Sequence, residues 1–538
     1  MKNLVFIYCG FEESHAFDKI FSGISAFERV LLWAKEISEK ISVRILLNPK
    51  FLNSVKASLS AQNFGDYKII EKSTWNTQNL LETMAAECAA LGADCAVFAM
   101  GDKPFLDIEL TSAVLSEHKK YLAEYTFADG YPEGFAPKSI SSGTLNILSQ
   151  LAKSKNEFEK TEVTENCLFE VLKTDINSFE IESVISPEDF RMFRFDFSCS
   201  SKQKTLACKN LYELALENHI PFKVLELTKF ACTSSKIQQT VPYYYNLQIC
   251  AKRSSKALYN PNFPLEETEI KNFMSLEHFK ALLKEISDLS EEAVISLSAF
   301  GDAFENPEIL LFIEEVLKNP HFNLVLETEG IALDANKISK ICELLNKFPE
   351  LKKSPSSIKE LKNKINFIVY LDAFTSEKYF EIHKNCPGDS FEKAKNNAAL
   401  LEENFPGCVF VQFTRMKENE CELEKFYRFY TAKESFVKGR VIIQKYDDFC
   451  GLLPNKKCAD LSPLERNVCW HLKRELTILK NGDVPLCREA FSRKILGNVF
   501  AEGLEKIWLK SNEFVQNQIE KKYLKICEDC DEYYTFNF

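Results

Sequence analysis

Six of the chain's 18 cysteines, Cys450, Cys458, Cys469, Cys487, Cys527 and Cys530, lie beyond position 449. A single cysteine is ordinarily a small buried apolar side chain. Cys527 and Cys530 differ, because a two-residue spacer lets both thiolates face one ion or cluster. Upstream, LTILKNGDVPLC (476–487) reads as two short strand runs around Asn481-Gly482. This dipeptide supplies the positive φ angles of a two-residue hairpin turn and leaves Cys487 at the end of the return strand. With Cys469, four sulfurs are available for metal chemistry. Four thiolates satisfy a closed tetrahedral zinc site as well as an iron-sulfur cluster, so spacing leaves the metal open. Cys450 and Cys458 have no companion spacing and read as buried thiols.

The elements that must carry these thiols alternate strand and helix. In the first part of the chain LVFIYCG (4–10), VRILLN (43–48) and CAVFAM (95–100) read as buried strands, with helical apolar spacing over 26–37 and 79–91. That order predicts a parallel sheet with crossover helices, a fold that binds ligands beyond the carboxyl ends of its strands. From 150 to 240 the pattern is less regular, with FRFDFS (193–198) and FKVLEL (222–227) reading as strands around a helix at 210–219. The alternation returns with PYYYNLQIC (242–250), VISLS (294–298), NLVLET (323–328), INFIVYLD (365–372), CVFVQF (408–413) and VIIQK (441–445). Ser275 is placed to cap a helix whose Phe279, Leu282, Leu283 and Ile286 share one face. Successive βα units of this length predict a complete or partial parallel β/α barrel. The polar run 352–364 reads as a surface connection. The expected division is an α/β domain over 1–150, a mixed connecting module over 151–240, a barrel over 241–445 and a small thiol-rich domain over 446–538.

Composition narrows the function classes. A chain of 538 residues has room for about three or four domains, each with its own core. Acidic residues number 78 against 67 basic ones, a net charge of −11, which is the wrong sign for a protein drawn electrostatically to nucleic acid or to an anionic membrane. The apolar start, Leu4 to Phe11, is a strand's length and runs into Glu12 and Glu13, a poor secretory segment and too short to span a bilayer. The expected location is the cytoplasm, with the thiols reduced.

At CWHLKRELTILKNGDVPLC (469–487), LGNVF (496–500), the helix around Ile507 and Trp508, and the closing ICEDCDEYYTFNF (526–538), the sequence resembles a SPASM domain, the iron-sulfur domain found behind radical SAM barrels. The four residues between Gly482 and Cys487 agree with that family's pattern. The whole chain looks most like the spiro-SPASM proteins, in which a nucleotidyltransferase-like segment, a radical-SAM-like barrel and a SPASM domain are fused. The resemblance implies one auxiliary [4Fe-4S] cluster on Cys469, Cys487, Cys527 and Cys530, where full SPASM domains hold two clusters.

The resemblance also shows what has been replaced. Radical SAM enzymes carry a CxxxCxxC loop after the first barrel strand, and the matching loop here is CAKRSSKALYNPNFP (250–264). With Pro261 aligned to the family's proline, the ligand positions hold Arg253, Ala257 and Asn260, and Cys250 alone cannot replace three thiolates. Binding and cleavage of S-adenosylmethionine are therefore not expected. The family's Gly-Glu-Pro motif is reduced to Gly301 and Asp302, and Glu329 stands where Asn is usual; these three are the carried-over candidates for a residual cofactor pocket. The ordinary reading of the two carboxylates is solvated or locally hydrogen-bonded loop residues. CAVFAMGDKPFLD (95–107) similarly resembles the metal-binding strand of nucleotidyltransferases and carries over Asp102 as a magnesium or nucleotide residue. After the first strand, Glu12 and Glu13 replace the family's Gly-rich phosphate loop, with Lys19 the one remaining cation. The implied function is an iron-sulfur protein on an inactive barrel with a peptide or protein partner, and no nucleic-acid or membrane partner. Two rival readings remain: a nucleotidyl- or sugar-nucleotide transferase acting through Asp102, and an active radical enzyme with an atypical cluster site.

Overall fold

Unbroken apolar runs form the centre of both sheets because other elements cover each face. The computed structural model describes residues 2–37, 42–155, 157–261, 273–348 and 364–535, and divides into two compact units, Met1–Thr240 and Val241–Phe538. Most of the run 352–364, and positions 262–264 and 536–538, lie outside the described residues.

In the first unit β1 (Asn3–Cys9), β2 (Ser42–Leu47), β3 (Tyr67–Glu71), β4 (Cys95–Met100), β5 (Tyr125–Asp129), β6 (Lys138–Ser141) and β7 (Ile181–Ile185) form one sheet in the order β3-β2-β1-β4-β6-β5-β7. The pairs are parallel except those of β6, which runs antiparallel to β4 and β5, so the sheet is mixed rather than purely parallel. Leu4, Phe6 and Tyr8 pack on one face with Leu80, Leu81 and Leu145, whereas Val5, Ile7 and Cys9 pack on the other with Phe27, Val30 and Leu59.

Residues 151–240 belong to this unit and supply β7 as well as several helices, the longest being Lys202–Glu217 and Val224–Cys232. The expected strand at 222–227 is thus the start of a helix. Its buried residues Val224, Leu227, Thr228 and Ala231 recur at helical spacing, which a six-residue window is too short to reveal. FRFDFS forms no strand either, only a bridge between Glu133 and Asp196.

The second unit contains β8 (Tyr244–Leu247), β9 (Lys256–Ala257), β10 (Ala293–Ser296), β11 (Phe322–Thr328), β12 (Ile365–Tyr370), β13 (His383–Lys384), β14 (Val409–Arg415), β15 (Val441–Lys445), β16 (Glu475–Ile478), β17 (Asp483–Pro485) and β18 (Ile495–Asn498). Seven of these make an all-parallel sheet in the order β15-β14-β12-β11-β10-β8-β16, an open, partial barrel. Ser275 caps the helix Leu276–Ser290, its Oγ accepting from the His278 N–H at 3.1 Å, and Phe279, Leu282, Leu283 and Ile286 are buried as expected. Among the described residues no helix is long and apolar enough to cross a membrane.

The barrel strands change character along their length. Tyr244, Val294, Val325, Ile368 and Phe410 form an apolar cluster. At the next same-facing positions stand Asn246, Ser296, Glu327, Tyr370 and Gln412, so the carboxyl half of the interior is polar.

The seventh strand was not expected in this sheet. β16 pairs in parallel with β8, and Leu476 and Ile478 join the barrel core together with Leu504, Ile507 and Trp508 of the helix Leu504–Ile519. The connection to β17 also differs from a two-residue hairpin turn. Gly482 N–H donates to the Leu479 carbonyl at 2.9 Å and Leu479 N–H to the Asp483 carbonyl at 2.9 Å, and only Gly482, at φ +88°, is left-handed. This is a three-residue loop with glycine at its bulge position. A Cβ on Gly482 would lie 2.3 Å from the Phe500 ring. Gly482→Ala is therefore expected to lower stability by roughly 2–4 kcal/mol, combining left-handed strain with overpacking. Urea unfolding checks this against Gly388→Ala, where no atom lies within 4 Å and no loss is expected.

Candidate metal centre

The four expected thiols converge. Cys469 precedes the short helix Trp470–Arg474, Cys487 follows β17, and Cys527 and Cys530 lie at the helical turn Lys525–Glu528 and just beyond it. All four line one small cavity with Arg466, Leu472, Leu486, Glu489, Gln518, Ile526 and Glu532. Backbone N–H groups point at two of the sulfurs, from Ala490 to Cys487 at 3.3 Å and from Glu532 to Cys530 at 3.4 Å. Arg466 is held over the cavity between the rings of Tyr523 and Tyr533, each 4.5 Å away.

A fifth thiol, Cys450, lines the same cavity, and its side chain is hydrogen-bonded to Cys530. This corrects the reading of Cys450 as an isolated buried thiol. Phe449, Cys450 and Gly451 form three successive left-handed residues, and Arg493 donates to the Phe449, Cys450 and Glu489 carbonyls, fixing that bend beside Cys487. Nothing in the local spacing signals this, since the partner lies eighty residues downstream. Cys458 is not part of the cavity wall and interacts with Glu420 instead.

The donor set fits a metal group. Burial pushes the thiols of Cys469 and Cys487 well above the ordinary range, and neighbouring thiols and Glu489 raise them further. Cys527 is pushed up to about 11, first by burial and then by Cys530. Several thiolates can share this enclosed space only with a strongly cationic group between them.

A second cavity, of about 370 Å³, lies within the barrel. Its wall takes Asn246 and Gln248 at β8, Ser298 beyond β10, Glu327 of β11, Tyr370 of β12, Gln412 and Thr414 of β14 and Gln444 of β15. Arg253, Ser255, Tyr259 and Asn260 from the loop after β8 and Arg488, next to Cys487, also line it, as do Lys252, Lys256, Lys445 and Asp447. Asn246, Gln248, Gln412, Thr414 and Gln444 are the signal that strand assignment passed over, polar residues alternating within otherwise apolar runs.

Gly301, Asp302 and Glu329 stand behind this wall rather than on it. A Cβ on Gly301 would lie 1.9 Å from the Cys250 carbonyl oxygen, so the glycine lets two loops touch. Asp302 is buried and accepts from the Phe304 N–H at 2.9 Å, the Thr328 hydroxyl at 2.8 Å and the Glu329 N–H at 3.0 Å. Burial and then Glu329 raise its carboxyl to about 6. Glu329, fully buried, accepts from the backbone N–H and the hydroxyl of Ser255, both at 2.9 Å, with the Arg253 guanidinium 3.7 Å away. These carboxylates fasten loops together.

The same fastening continues across the loop. Ser255 Oγ is 3.0 Å from His383 Nδ1, and His383 Nε2 is 3.0 Å from Asp372, which also accepts from the Tyr259 hydroxyl at 2.8 Å. β9 pairs antiparallel with β13, burying Ala257.

A family profile for SPASM, described as an iron-sulfur cluster-binding domain, matches residues 469–531. A protein of Treponema pallidum (strain Nichols), described as uncharacterized, is 38% identical over 376 residues, spanning 69% of this chain and 98% of its own length. The chain belongs to one family with this protein, and it carries a SPASM domain at its carboxy-terminal end. A second protein of that organism, also described as uncharacterized, is 42% identical over 72 residues, covering 13% of this chain and 33% of that protein. Among solved structures, Streptococcus suis SuiB bound to precursor peptide SuiA matches at 12% identity and a TM-score of 0.39, covering 68% of this chain and 78% of that one. A cytidylyltransferase from Leptospira borgpetersenii matches at 12% identity and a TM-score of 0.35, covering 43% of this chain and 93% of that one.

In the first unit Asp102 follows β4 and is 2% exposed. Its Oδ1 has no hydrogen-bond partner among the described residues. Lys103, beside it, is instead paired with Glu165 at 2.8 Å and Asp196 at 3.0 Å, and Lys204 with Asp196 at 2.6 Å. At the end of β1, Glu12 and Glu13 are exposed, and Lys19 lies 3.8 Å from Glu28.

Burial raises Asp102 to about 6, with Lys103 opposing and Asp196 adding to the effect. Below about pH 4 both folded and unfolded chains keep this proton. Between about pH 4 and 6 the unfolded chain ionises first, so stability falls across that window and stays reduced above it. Asp102→Asn is therefore expected to flatten this loss and to stabilise the first unit by about 1–3 kcal/mol at pH 7. Denaturant unfolding from pH 3.5 to 7.5 measures it, and a destabilised variant would contradict the burial argument.

Proposed function

We propose that the chain holds one [4Fe-4S] cluster on Cys469, Cys487, Cys527 and Cys530, beside a barrel that has lost S-adenosylmethionine cleavage. We further propose that it recognises, or helps to modify, a peptide or protein partner. The observation that carries the cluster reading is that these thiols line one enclosed cavity. When bound, the cluster would supply a one-electron redox centre.

The loop after β8 supports the loss of cleavage. In place of three thiolates it presents Arg253, Ala257 and Asn260, and Ser255, Tyr259 and the β9–β13 ladder hold it without metal. The peptide or protein partner rests on the SPASM resemblance.

Anaerobically prepared protein is expected to contain about four irons and four labile sulfides per chain. Cys527→Ala with Cys530→Ala should abolish them, and Cys250→Ala should leave them unchanged. Zinc at unit stoichiometry without sulfide would refute the assignment. With cluster-replete protein and dithionite, 5′-deoxyadenosine should not form from S-adenosylmethionine above a no-protein control.

Four irons leave one of the five thiols over; Cys450 shares a hydrogen bond with Cys530, and with Cys530 bound to iron as a thiolate the Cys450 S–H would be the donor. Hydrogen bonds to ligand sulfurs stabilise the more negative, reduced cluster. Cys450→Ala should therefore keep the iron and shift the midpoint potential negative, whereas Cys450→Ser should retain most of the wild-type value. An EPR-monitored redox titration reads both variants.

A further inference from the structure

The polar barrel cavity is built to hold something. Its volume of about 370 Å³ falls within the range of small-ligand sites. Its inward wall is contributed by six neighbouring strands and their ends, and two of its groups are left incomplete on the loop after β8. Arg253 Nη1 and Asn260 Nδ2 are both buried donors with no hydrogen-bond acceptor among the described residues. The carboxylate nearest Arg253, that of Glu329, stays 3.7 Å away and is already engaged by two donors of Ser255. Asn260 is 8% exposed, so water does not readily serve it. A buried donor left unpaired is costly, and a cavity wall that carries two residues with such donors is suited to a ligand that accepts.

Charge points the same way. Arg253 and Arg488 both line the cavity, and both act on the Tyr370 hydroxyl between them. That hydroxyl donates to Glu327, which with Asp447, the other acidic residue of the wall, also acts on Arg488. Lys252, Lys256 and Lys445 line the same cavity, so cations outnumber carboxylates on its wall. A guanidinium presents a planar fork that matches a carboxylate or phosphate through two hydrogen bonds.

We propose that the barrel cavity binds a ligand through a carboxylate or phosphate group held by Arg253 and Asn260. Where the family's cluster loop presents thiolates to a cationic centre, this loop presents hydrogen-bond donors to an anion. The site is independent of the carboxy-terminal cluster, which lies in a separate cavity.

The test uses the full chain, purified anaerobically, with two probes at constant ionic strength, inorganic phosphate and N-acetylglycine, the latter mimicking a peptide's carboxyl end. Isothermal titration is expected to show saturable, millimolar or tighter binding of at least one probe. Preference for phosphate would identify a phosphorylated small molecule as the ligand class, and preference for N-acetylglycine a carboxylate. Arg253→Gln should weaken the bound probe at least tenfold, and Arg253→Lys should keep part of the affinity. Asn260→Asp, which turns a donor into a negative charge at unchanged size, should also weaken it at least tenfold and guards against a folding defect in the arginine variant. The exposed Arg428→Gln should change nothing. Absence of binding by both probes, or wild-type affinity in Arg253→Gln and Asn260→Asp, would overturn the proposal.

Discussion

The pairing of β16 with β8 joins the thiol-bearing segment to the barrel. Four residue pairs, from Glu475 opposite Tyr244 to Ile478 opposite Leu247, extend the parallel sheet by a strand that arrives more than two hundred residues after its neighbour. The ladder satisfies backbone groups at what would otherwise be an open sheet edge, and Leu476 and Ile478 bury with Tyr245 and Leu247 in one core. An isolated two-stranded ribbon of this length would be marginal in water. Once β16 is fixed, Cys469 is set just before it and Cys487 just after the loop that leaves it. The same core takes Leu504, Ile507 and Trp508, and their helix carries the chain back toward Cys527. The thiol cavity is therefore an extension of the barrel's packing, with only a small cluster around Leu472, Leu486 and Val515 of its own.

The two cavities of this unit follow opposite electrostatic rules. In one, five thiols and two acidic residues, Glu489 and Glu532, face one another with Arg466 as the cationic side chain of the wall. Such a set is stable in charged form only around added positive charge. In the other, arginines face a mostly neutral polar wall. Arg488 links them through sequence, since it follows Cys487 and is charged against Asp447, Glu489 and Glu327 together. Lys445 adds a second link from the end of β15, paired with Asp531 at 2.8 Å and with Glu532, immediately beyond Cys530.

The loop after β8 is held by side-chain hydrogen bonds. Three thiolates around a cluster would cross-link a loop by coordination. Here Ser255, Glu329, His383, Asp372 and Tyr259 form a continuous buried set of hydrogen bonds that ties the same loop to the ends of β11 and β12 and to β13. Each of these five side chains is bonded to another of the set, which gives the loop a defined path.

Periodicity alone located β1, β2 and β4 of the first unit, most strands of the second, the Ser275 cap and the helix over 26–37, because those patterns depend only on which face of an element meets a core. Sequence spacing likewise isolated Cys469, Cys487, Cys527 and Cys530, since CxxC geometry is local. Other features depended on distant parts of the chain meeting. β6 runs antiparallel because the path of the chain between strands sets direction, and composition does not encode that. The 222–227 segment is helical because its apolar repeat extends to Ala231, beyond the window that suggested a strand. Cys450 joins the thiol cavity through a left-handed bend held by Arg493, with no spacing to announce it. Asp302 and Glu329 became loop fasteners, and the polar barrel wall emerged, only when strands separated by tens of residues were laid side by side. Local chemistry fixes what an element is and which ligands lie close in sequence. Which elements become neighbours is decided by burying all the faces at once, and in this chain that decided the cavities.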